Sequence, residues 1–310
     1  MLSKVPSVIV VGTIRNCENM LHKEIKKCLK SLSDINKVSF FLVESDSDDA
    51  TVNVLENLKK SVPRFNFVSL GSIRHEFPEQ YNRIRHCRNI YVEYLRKLLS
   101  EDFHEFVLVL DLDGMNTALS AESINSCFVR EDWDVVVANQ TFGYYDILAL
   151  RHPDWQIGDW RKDFEFYKKN LIHLKLANNS IWNRFKKNRS LRIAKYLAVY
   201  SKMLRIPKNN PWIKVDSGFG GAAFYKSTIF LKFDYTKEFD TTETDHVSLH
   251  RKIVREGGSI YINPKFINSH FNTYNLNRNY VIRVIRAFIW SNKSIYQSKF
   301  YYNLKKFFKK

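Results

Sequence analysis

Residues 106–116 read FVLVLDLDGMN: an apolar run that ends in two carboxylates, Asp111 and Asp113, with a glycine behind them. Such a run, bounded by turn residues, is the pattern of a buried strand. Its two acids are two positions apart, so in an extended chain they point to the same side.

Outward from this stretch the pattern repeats. SVIVVGT (7–13), VSFFLVE (38–44), FNFVSL (65–70) and WDVVVANQ (133–140) are short β-branched and aromatic runs that end in polar residues. Between them lie a lysine-rich helical stretch around 19–32, a helix after DSDD with Asp48 or Asp49 as its N-cap, and YNRIRHCRNIYVEYLRKLL (81–99), apolar at Ile84, Cys87, Tyr91, Tyr94 and Leu98. Strands alternating with helices predict an α/β fold with an open, mostly parallel sheet. Towards the C-terminus, VDSGFGGAAFYKS reads as a glycine turn between short strands. TETDHVSLHRKIVREGG reads as a helix with Gly257 at its end, and SIYINPKFINSHFN as a last strand.

Ligands of a parallel α/β sheet bind beyond the carboxyl ends of its strands, where Asp111 and Asp113 are expected. Two carboxylates beside a diphosphate suit a hard divalent cation that keeps part of its water. Two other chemistries share the motif. A strand followed by DxDG also opens the haloacid-dehalogenase-type phosphatases, and GDWRKD (158–163) imitates their second acid pair. No strand-like run precedes Gly158, however, and the spacing from Asp113 is too short for that core. A polymerase-type nucleotidyltransferase would suit the basic charge, but no third carboxylate is evident in the expected neighbourhood.

The net charge of +17 is uneven. Residues 161–208 hold 14 Lys/Arg against Asp163 and Glu165, and residues 277–310 hold 9 Lys/Arg and no acid, so the remainder is net −4. Such additions face an anionic partner, membrane lipid or nucleic acid. Segment 144–212 is aromatic, basic and mostly helical by pattern. In RNYVIRVIRAFIW (278–290), Val281, Val284, Ile285 and Phe288 share one helical face, and the tail SKFYYNLKKFFKK interleaves aromatics with lysines. That composition suits an anionic membrane surface; no RNA or DNA module accompanies it. Four cysteines form neither a disulfide framework nor a paired CxxC site, which points to a reducing compartment, and no run of 18 apolar residues predicts a membrane span.

VVGTIRN, FFLVESDSDD, RIRHCRN, VLVLDLDG, DSGFGGAAFY, ETDHVSLH and INPKFINSHFN occur in this order over residues 7–275. Together, outside much of 144–212, they resemble a GT-A glycosyltransferase, in particular the fungal capsule-associated α-1,3-mannosyltransferases and their bacterial relatives in surface-polysaccharide synthesis. The resemblance implies a GT-A catalytic domain over 1–275, with 144–212 as a basic acceptor-side insertion and 276–310 as a basic aromatic helix and tail. It also implies a nucleotide-diphosphate sugar as donor, Mn²⁺ or Mg²⁺ as cofactor, a glycan or glycolipid acceptor, and a cytoplasmic place at the inner face of a membrane.

Roles follow residue by residue. Thr13 and Arg15 are placed to touch the nucleotide, and Glu44 to accept hydrogen bonds from ribose or base. Arg85, Arg88 and Asn89, at i, i+3 and i+4 of one helix, offer guanidinium groups that grip phosphate oxygens. Asp113 and, less directly, Asp111 would hold the metal, and the resemblance puts His270 at the family's C-terminal metal-binding histidine, with His250 as competitor. Gly218, Gly220 and Gly221 would let a loop approach donor or acceptor. The family's acidic motif falls on Glu243 and Asp245, followed by His246. If the reaction inverts, Asp245 is the first choice of base and Glu243 the second. If it retains, the acid positions the acceptor or stabilises the oxocarbenium-like state.

Overall fold

The computed structural model describes residues 6–173, 191–236 and 243–270. In chain order it holds β1 (Ser7–Ile14), α1 (Leu21–Ser31), β2 (Lys37–Glu44), α2 (Thr51–Ser61), β3 (Phe65–Ser69), α3 (Gln80–Glu101), β4 (Phe106–Leu110), α4 (Ala121–Asn125), β5 (Val135–Gln140), α5 (Trp160–His173), α6 (191–198), β6 (Ile213–Val215), β7 (Ala222–Lys226), α7 (Ser227–Phe230), α8 (Asp245–Arg255) and β8 (Ile260–Ser269). The strands form one sheet in the order β3-β2-β1-β4-β7-β5-β8-β6. Pairs β1/β2, β2/β3, β1/β4 and β5/β8 are parallel, while β7 runs antiparallel between β4 and β5, and β6 antiparallel on the edge beside β8.

Period-2 alternation explains why the sheet needs both faces covered. Ile9, Val11, Val107, Val109, Val135 and Val137 enter one core with Tyr91, Val92 and Leu95 of α3 and Leu249 and Ile253 of α8. Val8, Val10, Leu108, Leu110, Val136 and Ala138 enter the other core with Leu21 and Ile25 of α1, Leu55 and Leu58 of α2, and Ile124 of α4. Each fully buried aliphatic side chain contributes about 1.5–3 kcal/mol, so a strand that feeds both cores has one workable register.

Two local expectations change in detail. The N-cap of α2 is Ala50, not Asp48 or Asp49, yet Asp49 still accepts the Thr51 N–H at 3.0 Å and so satisfies a first-turn donor from one position further out. Within the described residues of 144–212, α5 and α6 are helical as expected, but residues 144–159 are turns and isolated bridges, tied to the core by Arg151 paired with Ser217. The C-terminal helix and tail read over 276–310 lie outside the described residues.

The order 3-2-1-4 reverses direction at β1. The chain moves outward to β2 and β3, then returns to the other side of β1 as β4. Loops leaving β1 and β4 therefore diverge, and the crevice between them is where a doubly wound sheet binds ligands.

Candidate active site

A cavity of about 360 Å³ fills that crevice. Thr13, Ile14 and Arg15 line it from the end of β1, Ser45 and Asp46 from the end of β2, and Asp111, Leu112 and Asp113 from the end of β4. Gln80, Arg83, Ile84, Cys87 and Arg88 close it from the first turns of α3. The backbone around the two acids is pinned from three sides. Asp111 N–H donates to Gly221 O at 2.9 Å, Asn116 Nδ2 to Asp111 O at 2.6 Å, and Asn116 N–H to Glu24 Oε1 at 3.0 Å.

The glycine stretch supplies the first of these pins. Gly220 and Gly221 have φ of +67° and +82°, and a Cβ would stand 2.7 Å from Ala138 O at the first and 2.8 Å from Tyr145 Oη at the second. Only glycine fits such a conformation in such a space. The same turn is held by Gln140 and Asn268, which both donate to Gly220 O at 2.9 Å. Gly218 packs against Tyr144. The three glycines are buried, and they shape the floor under Asp111 rather than forming an exposed loop over a ligand.

Arg88 is the electrostatic centre. Its side chain is 7% exposed, with Nη1 3.0 Å from Asp245 Oδ2 and Nη2 3.7 Å from Asp111 Oδ1. It also donates to His246 Nε2, and its guanidinium lies 5.6 Å from the Phe219 ring and 5.3 Å from that of Tyr235. Burial opposes the charge, but Asp245 and the other acids around it raise the Arg88 pKa. His246 stacks on Phe219 at 3.8 Å, and burial followed by the Arg88 charge holds its pKa well below the ordinary value, so the ring is neutral and can accept.

Removal from bulk water, then the charge of Asp113, push the Asp111 carboxyl well above the ordinary range; Arg88 offsets this only in part. Asp113 is raised chiefly by desolvation although it stands exposed at the cavity mouth, where the crevice walls, not full burial, limit its access to water. Two crowded acids facing a cavity form a hard-oxygen donor pair. Among the described residues no group of three His, Cys, Asp or Glu side chains could hold a metal, so His270 does not complete a cluster with Asp111 and Asp113. His270 is exposed, with Nδ1 2.8 Å from Thr141 Oγ1. His250 is buried, with its ring nitrogens 3.0 Å from Ser217 Oγ and 2.8 Å from Tyr225 Oη, which leaves neither for a metal.

The remaining residues separate into those the cavity gathers and those it does not. Thr13, Arg15, Arg88, Asp111 and Asp113 share its lining, whereas Glu44, Arg85 and Asn89 stand outside. Glu44 is buried and accepts from Ser47 N–H at 2.9 Å and from Ser69 Oγ, which ties β2 to β3. Asn89 accepts Tyr235 N–H at 2.8 Å and donates to Thr236 at 3.3 Å, so it places Tyr235 against Arg88. Arg85 Nε is buried without a hydrogen bond. Glu243 lies 2.5 Å from Arg251 and 3.6 Å from Arg151, on arginines other than the one Asp245 meets. Asp159 and Asp163, the acids of GDWRKD, serve α5: Asp159 accepts the Arg161 N–H at 3.0 Å and Asp163 pairs with Lys202 at 2.6 Å.

Three participants escaped the sequence reading. Arg83, held by Asp46 at 3.6 Å and by the Phe77 and Pro78 carbonyls at 2.7 Å each, joins the cavity wall. Its presence in RIRHCRN beside Arg88 was the available signal. Glu24, on α1, braces the 113–116 turn, and nothing local to LHKEIKK marks it. Asp146, in the loop after β5, adds its charge to that of Asp111 and Asp245 around Arg88. Further carboxylates therefore do stand in the neighbourhood of the Asp111 pair, although not as a metal cluster.

No protein-family model matches the sequence, and no curated protein matches it. Among solved structures the chain is similar to a mannosyltransferase from Pyrobaculum calidifontis in complex with GDP-Man and Mn²⁺, at 13% identity over 92% of this chain and 65% of that one, with a TM-score of 0.49. It is similar to S. aureus TarS at 10% identity over 83% of this chain and 57% of that one, with a TM-score of 0.43. A third similarity is to glucosyl-3-phosphoglycerate synthase from Mycobacterium tuberculosis with UDP, at 11% identity over 86% and 69%, with a TM-score of 0.35. The chain thus spans less than two thirds of the first two structures. At these TM-scores the overlap is loose, and the function has to be read from the residues of the cavity.

Proposed function

We propose that the chain is a GT-A-type glycosyltransferase that moves a hexose, mannose in the reading the sequence resemblance favours, from a nucleoside diphosphate sugar to a surface glycan or glycolipid. The observation that carries this reading is the meeting of Thr13, Arg15, Arg83, Arg88, Asp111 and Asp113 on one cavity at the switch point of the sheet. Strand-end loops, three guanidinium groups and a carboxylate pair are what a nucleoside diphosphate needs: a floor for the base and ribose, charge for the phosphates and oxygen ligands for their counter-ion.

Asp111 and Asp113 would hold Mn²⁺ or Mg²⁺ from one side, with donor phosphates and water completing the shell, as such ions bind when the protein offers one or two carboxylates. Their environment fits that role, since desolvation raises both carboxyls and the charge of Asp113 raises Asp111 further, and a cation would favour the charged forms of both. When bound, the ion supplies positive charge to the departing diphosphate. Arg88 supports the same charge from α3, fixed by Asp245 and by the neutral His246 ring. Asp245 opens α8 with Oδ2 beside Arg88 and its other oxygen on the His246 amide at 3.1 Å. In an inverting transfer it takes the proton of the acceptor hydroxyl; in a retaining one it orients that hydroxyl. Glu243, paired with Arg151 and Arg251, sets the entry to α8 instead.

The basic segments give the enzyme a place. Phe166 is exposed on α5 among Lys162 and Lys169, which supports an anionic membrane at the cytoplasmic side as the partner of this helix. Among the described residues no helix is long and apolar enough to cross a membrane.

Thermal unfolding with and without Mn²⁺ in the presence of GDP-, UDP- and CMP-linked sugars tests the reading. A metal-dependent rise in melting temperature with at least one donor is expected; no shift with any donor would overturn it. Slow hydrolysis of the same panel then names the sugar.

A further inference from the structure

Among the described residues seven large apolar side chains are exposed, and the two ends of the sheet share them unevenly. Phe103 and Val129 precede β4 and β5, at the end opposite the nucleotide cavity. The strands β4 and β5 run the same way, since β7 is antiparallel to both. The other five gather at the cavity's own end. Phe142 follows β5, and two positions on the Tyr144 N–H donates to Leu204 O at 2.8 Å. Lys202 draws in the next two. Its carbonyl accepts Trp155 Nε1–H at 2.7 Å, and its ammonium group donates to Gln156 Oε1 and Asp163 Oδ2 at 2.6 Å each. Ile157 follows Gln156 directly, and Phe166 lies one turn beyond Asp163. Tyr81 completes the set, with the Arg161 guanidinium 5.4 Å from its ring.

The surroundings of this apolar set are cationic. Residues 161–173 and 191–208 hold nine Lys/Arg against Asp163 and Glu165, a net of +7. Both acids are paired, Asp163 with Lys202 and Glu165 with Lys168, whereas Lys162, Lys169, Lys195, Arg205 and Lys208 are exposed. Apolar side chains rimmed by charge mark an interaction surface. Wedges set among lysines match the boundary of an anionic bilayer, where acyl chains take the wedge and headgroups take the charge. Ile157 and Leu204 offer no ring for a base to stack on, which favours lipid over single-stranded nucleic acid. The face also adjoins the site. Tyr81 follows Gln80 on α3, and Gln80 and Arg83 line the nucleotide cavity, so the Arg161 contact sets α5 against that wall.

We propose that the 142–157 segment, α5 and residues 199–208 form one face that docks on an anionic lipid surface, with the nucleotide-cavity end of the sheet turned to the membrane. The inference rests on the membrane placement of α5 given above, and adds to it the extent of the face and the orientation of the site.

The test uses the full chain and vesicles of phosphatidylcholine alone or mixed equally with phosphatidylglycerol. Co-flotation should show binding to the anionic vesicles, little to the neutral ones, and a decline with added salt. Ile157→Asp combined with Phe166→Asp should weaken that binding by at least about tenfold, while Phe103→Asp combined with Val129→Asp should change it by less than about twofold. These four side chains are the most exposed of the seven, so neither pair belongs to the core. If a double variant does not fold, a milder measurement decides. The chain's four cysteines are buried, so a fluorophore on Ile157→Cys should be quenched by nitroxide-labelled lipid, and one on Val129→Cys should not. Equal losses for the two pairs, no loss for the first, or quenching at position 129 but not at 157 would overturn the proposal. Absence of binding to the anionic vesicles would do the same, and would pass the exposed cations to a nucleic-acid or protein partner. No nucleotide sugar enters these measurements, so their failure leaves donor binding untouched, and a failed donor test leaves the docking face standing.

Discussion

Arg88 and Asp245 meet at 3.0 Å although 157 positions separate them in the chain, and this contact joins α3 to the first turn of α8 at the site. The same guanidinium reaches Asp111 on β4 at 3.7 Å. One side chain therefore couples the acids expected at the donor to the acid expected at the acceptor.

Removing that side chain leaves two carboxylates facing each other without compensation. Arg88→Ala should cost about 3–5 kcal/mol in urea unfolding and should abolish nucleoside diphosphate binding. Arg88→Lys should not restore binding, because an ammonium group cannot span Asp245, Asp111 and His246 together. Full binding by the lysine variant would show that only charge is needed there.

Asp245 and Glu243 open the same helix but meet different arginines, so their variants should separate. In an inverting enzyme Asp245→Asn should lower turnover by at least about a hundredfold, well beyond the loss of donor affinity that a loosened Arg88 brings, as removal of a general base does. Glu243→Gln should leave turnover within about tenfold and act mainly on stability, because a partly buried ion pair with Arg151 and Arg251 is weakened. Steady-state kinetics on both variants decide; the reverse pattern would move the base to Glu243.

Glu24 adds a pH dependence with a definite sign. Burial raises its carboxyl from 4.5 to about 7, with the Asn116 and Gly114 amides opposing. The folded state thus prefers the protonated acid. No cost arises below about pH 4.5; stability falls as pH climbs from there to about 7 and is then level, a loss of roughly 3 kcal/mol. Glu24→Gln keeps an acceptor for the Asn116 amide and should be the more stable protein above pH 7, with the two curves converging near pH 4.5. Parallel curves in chemical denaturation would remove Glu24 as the source.

The turn that carries Gly221 should tolerate no side chain. Gly221→Ala combines φ of +82° with a contact at 2.8 Å, and should cost about 1–3 kcal/mol. It should also weaken metal-dependent donor binding, because Asp111 N–H is held by the Gly221 carbonyl. A variant that loses stability but binds normally would uncouple the turn from the acids.

Much of this was legible in the sequence, and the reason is local. FVLVLDLDGMN carries its strand and its turn within eleven residues, and the apolar runs of β1, β2 and β5 mark them as buried strands, although only the fold divides their residues between the two cores. The parallel sheet with ligand residues at its strand ends followed from those patterns. What stayed hidden depends on contacts made across the chain. Arg88 and Asn89 are adjacent in RIRHCRN, but one faces the cavity and the other grips Tyr235, and the choice is made by how Cys87, Tyr91 and Leu95 bury α3. Glu24 and Asp146 become members of the site only when α1 and the loop after β5 pack against the β4 end. Glu44, expected at the end of its strand as an acceptor for ribose or base, is instead covered by β3 and accepts from Ser69.

The most direct measurement is the affinity of a nucleoside diphosphate for wild type and Asp113→Asn, by calorimetry with Mn²⁺ and with chelator. Wild type should bind with Mn²⁺ at least about tenfold more tightly than without, and more tightly as pH rises, because Asp111 and Asp113 must give up protons to take the ion. Asp113→Asn should lose the Mn²⁺ dependence while keeping its fold. Equal affinity with and without metal in the wild type, or an unchanged metal response in the variant, would contradict the assignment of Asp111 and Asp113 to a metal-bound diphosphate.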